Sequence, residues 1–453
     1  MAQHTELLKM AESPVSKEQA LLEAYFQCLS HFAYDKAKEL CDRERELHKT
    51  HFGSTWVQMV SCLSQLSIAE KTYSSLQFLE QKWFGRRDSL RGTYSLLLTE
   101  MKKIEETVVR TDYSFTNVAD AMLERLIGHL CGQLTQFLTA RSKTIEFYEQ
   151  MVAMGTLGTN RNISCEDLLT VIQDIIQSYQ KMFHHPILAP LKHSFSLECE
   201  ILQHLLFAQI EMSKCAFLPS LLHLNDANSK LSDWTALQPV KESKRLPFGG
   251  SKSPPVPHMK SWLLKYKGQL VSKFSLYFYD VLSKQAPAAE FKSNLSKTTI
   301  DFYGKIVSFV KKTDAQSVAL VFDTNGLEGT QRRPGYHHPS KYVETPRGGL
   351  ENYPAIFSYP NEHVAEKHWP NIISIITDPT SGLHTVDKHV YVCDESLQCT
   401  YFLSKIEARI TLVVIFETKK AEKDSVVNNF LVDLTTLLRG TKLFASLKPG
   451  IKG

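Results

Sequence analysis

Ile410-Thr-Leu-Val-Val-Ile-Phe416, closed by Glu417, decides the fold. It is a nearly continuous apolar run, rich in β-branched residues and too short for a buried helix. Such a run reads as a central strand covered on both faces. Two further strand patterns precede it in a meander, His389 to Cys393 and Gln398 to Ser404. Helix-period sequence follows from Ser425 to Leu438, with Val426, Val427, Phe430, Leu431, Leu434, Leu437 and Leu438 on its buried side. Upstream lie a helix around Leu295 to Lys311, the strand Ser317 to Phe322, a long loop (324–352), a short strand from Ala355 to Tyr359 and a helix near Glu362 to Thr377. The order α, β, β, α, β, β, β, α is that of a roadblock/longin-like domain: a five-stranded antiparallel sheet with flanking helices. Hairpin-like grouping of the strands disfavours a doubly wound parallel sheet.

The first half has another period. Ser16-Lys-Glu-Gln19 reads as a capping box for a helix carrying Leu21, Leu22, Tyr25, Phe26 and Leu29. The charged stretch from Asp35 to Lys49 reads as its continuation. Further helices are expected from Ser54 to about Trp83, from Leu90 to Val109, and through Leu123 to Tyr148. Ser164 and Asp167 are expected to cap the next, and a last helix is expected from Phe195 to Lys214, ending before Pro219. Amphipathic helices in series, joined by short turns, make an all-α bundle.

These patterns divide the chain into a helical bundle (1–237), a Pro/Gly/Ser/Lys-rich linker (238–257), a roadblock/longin-like domain (258–445) with a connecting helix at 258–284, and a tail (446–453). The linker composition cannot bury enough apolar area to offset its ordering entropy. With 453 residues, 43% apolar and 22% charged, the chain has material for two cores.

Composition excludes several function classes. The 52 basic residues are interleaved with 48 acidic ones, giving net +4 and no strong reason for a phosphate-neutralising face; the basic residues of 241–252 read as a solubilising linker rather than a phosphate-binding patch. Nucleic acid is therefore not expected as a partner. Nine cysteines, an odd number without a CxxC, read as buried free thiols in a reducing compartment rather than a zinc cage or a disulfide framework. The opening residues carry no signal-peptide core, no apolar run reaches the ~20 residues of a membrane span, and the final residues are not a prenylation box. Membrane association is expected through partners only.

No phosphate-cradling glycine loop, nucleophile elbow or HExxH motif occurs. No cofactor and no catalytic residue are expected. The pairs His184-His185 and His337-His338 suggest a metal, but adjacent side chains on a helix or strand diverge, and no carboxylate or cysteine stands at ligand spacing beside them. Capping and turn hydrogen bonds account for them more simply. The acidic pairs Glu105-Glu106, Glu166-Asp167 and Asp394-Glu395 read as helix starts, turns and solvated faces. The 324–352 loop is long enough to be functional. Arg332, Arg333, Tyr336, His337 and His338 are its candidate partner-binding residues, weighed against a tolerated insertion.

The strings YDKAKEL (34–40), FHHPILAPL (183–191), FLPSL (217–221), GYHHP (335–339), HWPNII (368–373), TYFLSK (400–405), VVIFE (413–417) and FASLKPG (444–450) run along nearly the whole chain. Through them the sequence resembles the KICS subunit family of the KICSTOR complex in its vertebrate form. The resemblance implies a non-catalytic scaffold role. KICSTOR holds the GATOR complex, which acts on Rag GTPases, at the lysosomal surface, and so restrains target-of-rapamycin signalling when amino acids or glucose are scarce. Implied partners are kaptin, an FG-GAP-repeat protein and a very large scaffold subunit, onto which residues 258–453 are expected to dock. Exposed sheet edges also offer a route to self-association. Two other readings stand beside it. One is a metal-dependent hydrolase built on the His-rich loops. The other is a direct small-GTPase regulator projecting Arg332 or Arg333.

Overall fold

A computed structural model describes residues 14–48, 54–80, 89–111, 118–155, 163–236, 256–327, 335–336, 348–360, 366–383 and 388–450. Among the described residues, eight long helices precede residue 237: α1 (Pro14–Ser30), α2 (Tyr34–Leu47), α3 (Thr55–Ser74), α4 (Leu90–Thr111), α5 (Val118–Met154), α6 (Cys165–Tyr179), α7 (Ala189–Ser213) and α8 (Phe217–Ala236). The expected cap of α6 is present as a full capping box between Ser164 and Asp167. Other expectations are corrected. Helix α1 begins at Pro14, so Ser16 lies inside it, and proline at a first helical position loses only an N–H that has no partner there. Helix α2 does not continue α1, because Phe32 takes a left-handed backbone (φ 59°) and breaks the ladder. Helix α3 stops at Ser74, where Leu76 (φ 55°) turns the chain. Helix α8 was not expected at all: Pro219 lies in its first turn, where proline starts a helix rather than ending one.

One guanidinium ties the bundle together. Arg141 of α5 is 4% exposed and faces Glu70 of α3 (3%) and Glu198 of α7 (0%). Its Nε and Nη2 donate to the Glu70 carboxylate at 3.0–3.2 Å, and Nη1 donates to Glu198 Oε2 at 2.7 Å. Tyrosines supply the remaining donors. Tyr94 gives its hydroxyl hydrogen to Glu70 (2.7 Å), and Tyr73 (2.5 Å) and Tyr148 (3.1 Å) give theirs to Glu198. The guanidinium also lies over the Tyr73 ring, 4.2 Å from its centroid. Burial works against the charge on Arg141, but Glu70 and then Glu198 outweigh it and hold the group protonated. Burial raises the pKa of all three tyrosine hydroxyls, so they stay donors.

After residue 257 come α9 (His258–Tyr277), α10 (Tyr279–Ser283), α11 (Ala288–Ser296) and α12 (Phe302–Lys312). The helix expected at 295–311 starts only at Phe302, as α12, because α11 already ends at Ser296. The rest is β1 (Ser317–Phe322), β2 (Ala355–Tyr359), α13 (Trp369–Thr377), β3 (His389–Asp394), β4 (Cys399–Glu407), β5 (Ile410–Phe416), α14 (Ser425–Arg439) and α15 (Thr441–Ala445). The five strands form one antiparallel sheet in the order β2-β1-β5-β4-β3, the roadblock/longin-like arrangement expected from the sequence. Strand β5 is buried at every residue. Leu412, Val414 and Phe416 face a core shared with α12 and α14, where Phe309 stacks on Phe430 at 3.8 Å. Val413 and Ile415 face a second core with Ile372, Ile373 and Ile376 of α13.

Helix α9 joins the sheet to the bundle. Trp262 Nε1 donates to the Leu443 carbonyl (2.9 Å), Tyr266 to Gln209 of α7 (2.7 Å) and Gln269 to the Leu437 carbonyl (2.5 Å). Lys273, 3% exposed at its side chain, pairs with Glu407 of β4. One apolar cluster therefore runs from Leu22 to Leu447. Most of the sequence-derived linker (238–255) lies outside the described residues.

Replacing Arg141 with Met leaves two buried carboxylates without their cation. The expected loss is about 3–5 kcal/mol of unfolding free energy, read by chemical denaturation of the full chain. A loss below about 1 kcal/mol would show that the network does not hold the bundle.

Candidate docking surface

The described part of the long loop leads to one place on the molecule. Gly335 N donates to the Cys215 carbonyl (3.4 Å) in an isolated parallel bridge between Ala216 and Gly335. Gly335 has φ 103°, a backbone that glycine adopts without penalty. Tyr336 then meets Phe217 edge to face, ring centroids 5.7 Å apart, and remains 45% exposed. Arg332, Arg333, His337 and His338 lie outside the described residues, so of the five candidates Tyr336 alone is placed.

The surface beneath Tyr336 is the first half of α8. Leu218 (47%), Leu221 (40%) and Leu222 (53%) are exposed along it, spaced i, i+3, i+4 on one face. Their buried counterparts explain the display: Ser220, Leu224, Ala227 and Leu231 turn inward. Helix α9 runs antiparallel beside it, set in register by Lys267 Nζ on Asn228 Oδ1 (2.7 Å) and by Phe217 against Phe274 (5.2 Å). That register puts exposed Val271 of α9 alongside the Leu221 turn, with exposed Leu264 two turns away on the same face of α9. Single exposed leucines need no explanation, but a contiguous apolar stripe marks an interaction site. Sequence reasoning missed this stripe because it missed α8. The i, i+3, i+4 leucines in FLPSLLHL were the available signal.

The other polar clusters have structural partners. His184 and His185 both donate backbone N–H to Gln133 Oε1 (2.8 Å), and His185 Nδ1 accepts from Ile187 N (3.2 Å), a cap rather than a ligand pair. Buried His368 bonds the Tyr401 hydroxyl through Nδ1 (2.8 Å) and reaches Glu417 at 3.5 Å. Lys367, hydrogen-bonded to Glu417, holds that carboxyl below its usual range. Asp394 accepts from Ser396 and Leu397 in a turn. Glu105 stands well inside α4, not at a helix start.

Against this geometry, similarity to known proteins is decisive. A family described as "KICSTOR complex C12orf66 like" matches residues 11–452. The chain belongs to that family. A Xenopus laevis protein named KICSTOR subunit 2 is 41% identical over 98% of this chain and 100% of its own length. A Danio rerio protein of the same name is 40% identical over 97% of this chain and 98% of its own. Family membership thus covers the α8 stripe, the α9 joint and the sheet together.

A nucleophilic cysteine needs thiolate character. All nine cysteines are free, seven are buried, and Cys165 and Cys393 are half-buried. Burial pushes the Cys41 and Cys165 thiols up to about 12 and Cys62 to about 11. With Ellman's reagent at neutral pH, Cys393 on edge strand β3 is expected to react first, and the remaining thiols only on unfolding. Three or more fast thiols in the native protein would contradict the burial described.

Proposed function

We propose that this chain is a non-catalytic scaffold subunit of the KICSTOR complex. In this reading it helps hold the GATOR complex at the cytosolic face of the lysosomal membrane, so that target-of-rapamycin signalling is restrained when amino acids or glucose run short. The observation that carries the proposal is similarity over essentially the full length to proteins named KICSTOR subunit 2.

The architecture supports an assembly role. Sequence composition divides the chain at 238–257, and α9 bridges the bundle and the sheet. Exposed leucines of α8, exposed Val271 of the neighbouring α9 and Tyr336, which meets Phe217 of α8, come from both sides of that division. The very large scaffold subunit is the partner assigned to this face, with kaptin and the FG-GAP-repeat protein completing the complex. GATOR, and through it the Rag GTPases, would then be engaged by the assembly rather than by this chain alone. No described helix is long and apolar enough to cross a membrane, so attachment to the lysosome is assigned to the partners.

Deleting residues 258–453 is a poor test, because α9 packs into the bundle core through Trp262, Leu263 and Tyr266. The sharper experiment is L218E/L222E in the full chain, expressed in cells lacking the endogenous protein. Both positions are exposed, so stability should change by no more than about 0.5 kcal/mol per site. Recovery of the large subunit and of GATOR by affinity purification should fall sharply, and starvation should no longer silence the kinase. Undiminished recovery with the variant would remove this face from the assembly. Failure of the wild-type chain to recover any KICSTOR subunit would overturn the proposed function itself.

A further inference from the structure

Beside the leucine stripe, a different chemistry is assembled. His223 and Asp226 stand at i and i+3 of α8, which places them on one helix face. His204 comes from the antiparallel neighbour α7. The Nδ1 atoms of His204 and His223 lie 3.1 Å apart, and His204 Nδ1 lies 3.8 Å from Asp226 Oδ2. One ligand-capable atom from each of the three residues falls within 4.8 Å of the other two. We propose that His204, His223 and Asp226 form a zinc-class divalent metal site that staples α7 to α8.

The spacing suits the ion. Zinc takes imidazole nitrogen and carboxylate oxygen at roughly 2.0–2.2 Å in tetrahedral array, which puts neighbouring ligand atoms about 3.3–3.5 Å apart. The observed 3.1 and 3.8 Å bracket that value, and the third pair, His223 and Asp226, lies within 4.8 Å, so side-chain adjustment closes the set around one ion. A hydrogen bond between two neutral imidazoles accounts for the first distance and leaves Asp226, about half exposed, to water. A cation uses all three groups.

The surroundings favour the ligand forms. Phe207 stacks on the His223 ring (4.7 Å, 10°) and fixes its plane. Lys230 is paired with Glu200 at 2.5 Å, which offsets its repulsion of an incoming ion. Asp226 is about half exposed, leaving a path from solvent and a fourth position for water. Three protein ligands with an open position differ from a closed structural cage. No residue within this set comes from the His-rich strings at 184–185 or 337–338, which drew notice first.

The test uses full-length protein stripped with chelator and titrated with zinc, then with cobalt as a spectroscopic substitute. Wild type should take up one zinc per chain with micromolar or tighter affinity. Cobalt should give d–d bands without a thiolate charge-transfer band. Asp226→Asn, exposed and harmless to folding, should weaken zinc by at least about tenfold, roughly 1.4 kcal/mol. His204→Gln with His223→Gln should abolish uptake while keeping the apo circular-dichroism spectrum. Zinc should raise the melting temperature of wild type and not of the double variant. Absence of micromolar binding, unchanged binding by the double variant, or a thiolate band, which would place the metal on cysteines, each overturns the site. None of these results bears on whether the chain enters KICSTOR.

Discussion

Arg141, held between Glu70 and Glu198, is the constraint on which the bundle depends. Three helices contribute the charges, and tyrosines from α3, α4 and α5 fill the remaining hydrogen-bonding capacity. A buried ion pair adds little net stability compared with apolar packing, but leaving one partner alone is severe. The network therefore acts on specificity: α3, α5 and α7 can meet in one register only, the one that places all three charges together. Helix α7 is in turn the support on which α8 lies, and α8 carries the exposed leucines.

A second buried charge pair repeats the device at the joint. Lys273 of α9 meets Glu407 at the end of β4, and the Lys273 ammonium lies 5.3 Å from the Tyr277 ring centroid. Together with the Trp262 and Gln269 hydrogen bonds to the carbonyls of Leu443 and Leu437, this fixes the sheet against the helices. At the end of α5, Gly155 lies so close to the Phe444–Ala445 backbone that any side chain there would collide with it. The apolar stripe is thus presented on a stiff support, which lowers the ordering cost of binding a partner.

The sheet was legible because its signals are local. The 410–416 run, the meander before it and the helix after it each have one reading, and their order specifies the topology. Helix α8 was legible only through its i, i+3, i+4 leucines, since Pro219 carries opposite meanings at a helix end and in a first turn. The division of α11 from α12 went unseen for a similar reason: apolar spacing continues across the Ser296–Asp301 break. The Arg141 network could not be read at all, because Arg141 stands 71 residues from Glu70 and 57 from Glu198. His223-x-x-Asp226 was visible as a spacing, but its partner His204 becomes meaningful only when α7 and α8 are antiparallel neighbours. Of the loop candidates, Tyr336 is placed against the stripe through Phe217, which sequence separation alone could not show.

In the proposed role, the α8–α9 face is where this chain meets its assembly. Hydrogen–deuterium exchange of the full chain, alone and within the reconstituted KICSTOR complex, tests it most directly. Docking through this face gives new protection in 217–226 and 264–271 on assembly, with the Arg141 helices equally protected in both states. Unchanged exchange in those two segments, with protection appearing instead on edge strand β2 or β3, would contradict it and transfer the interface to the sheet.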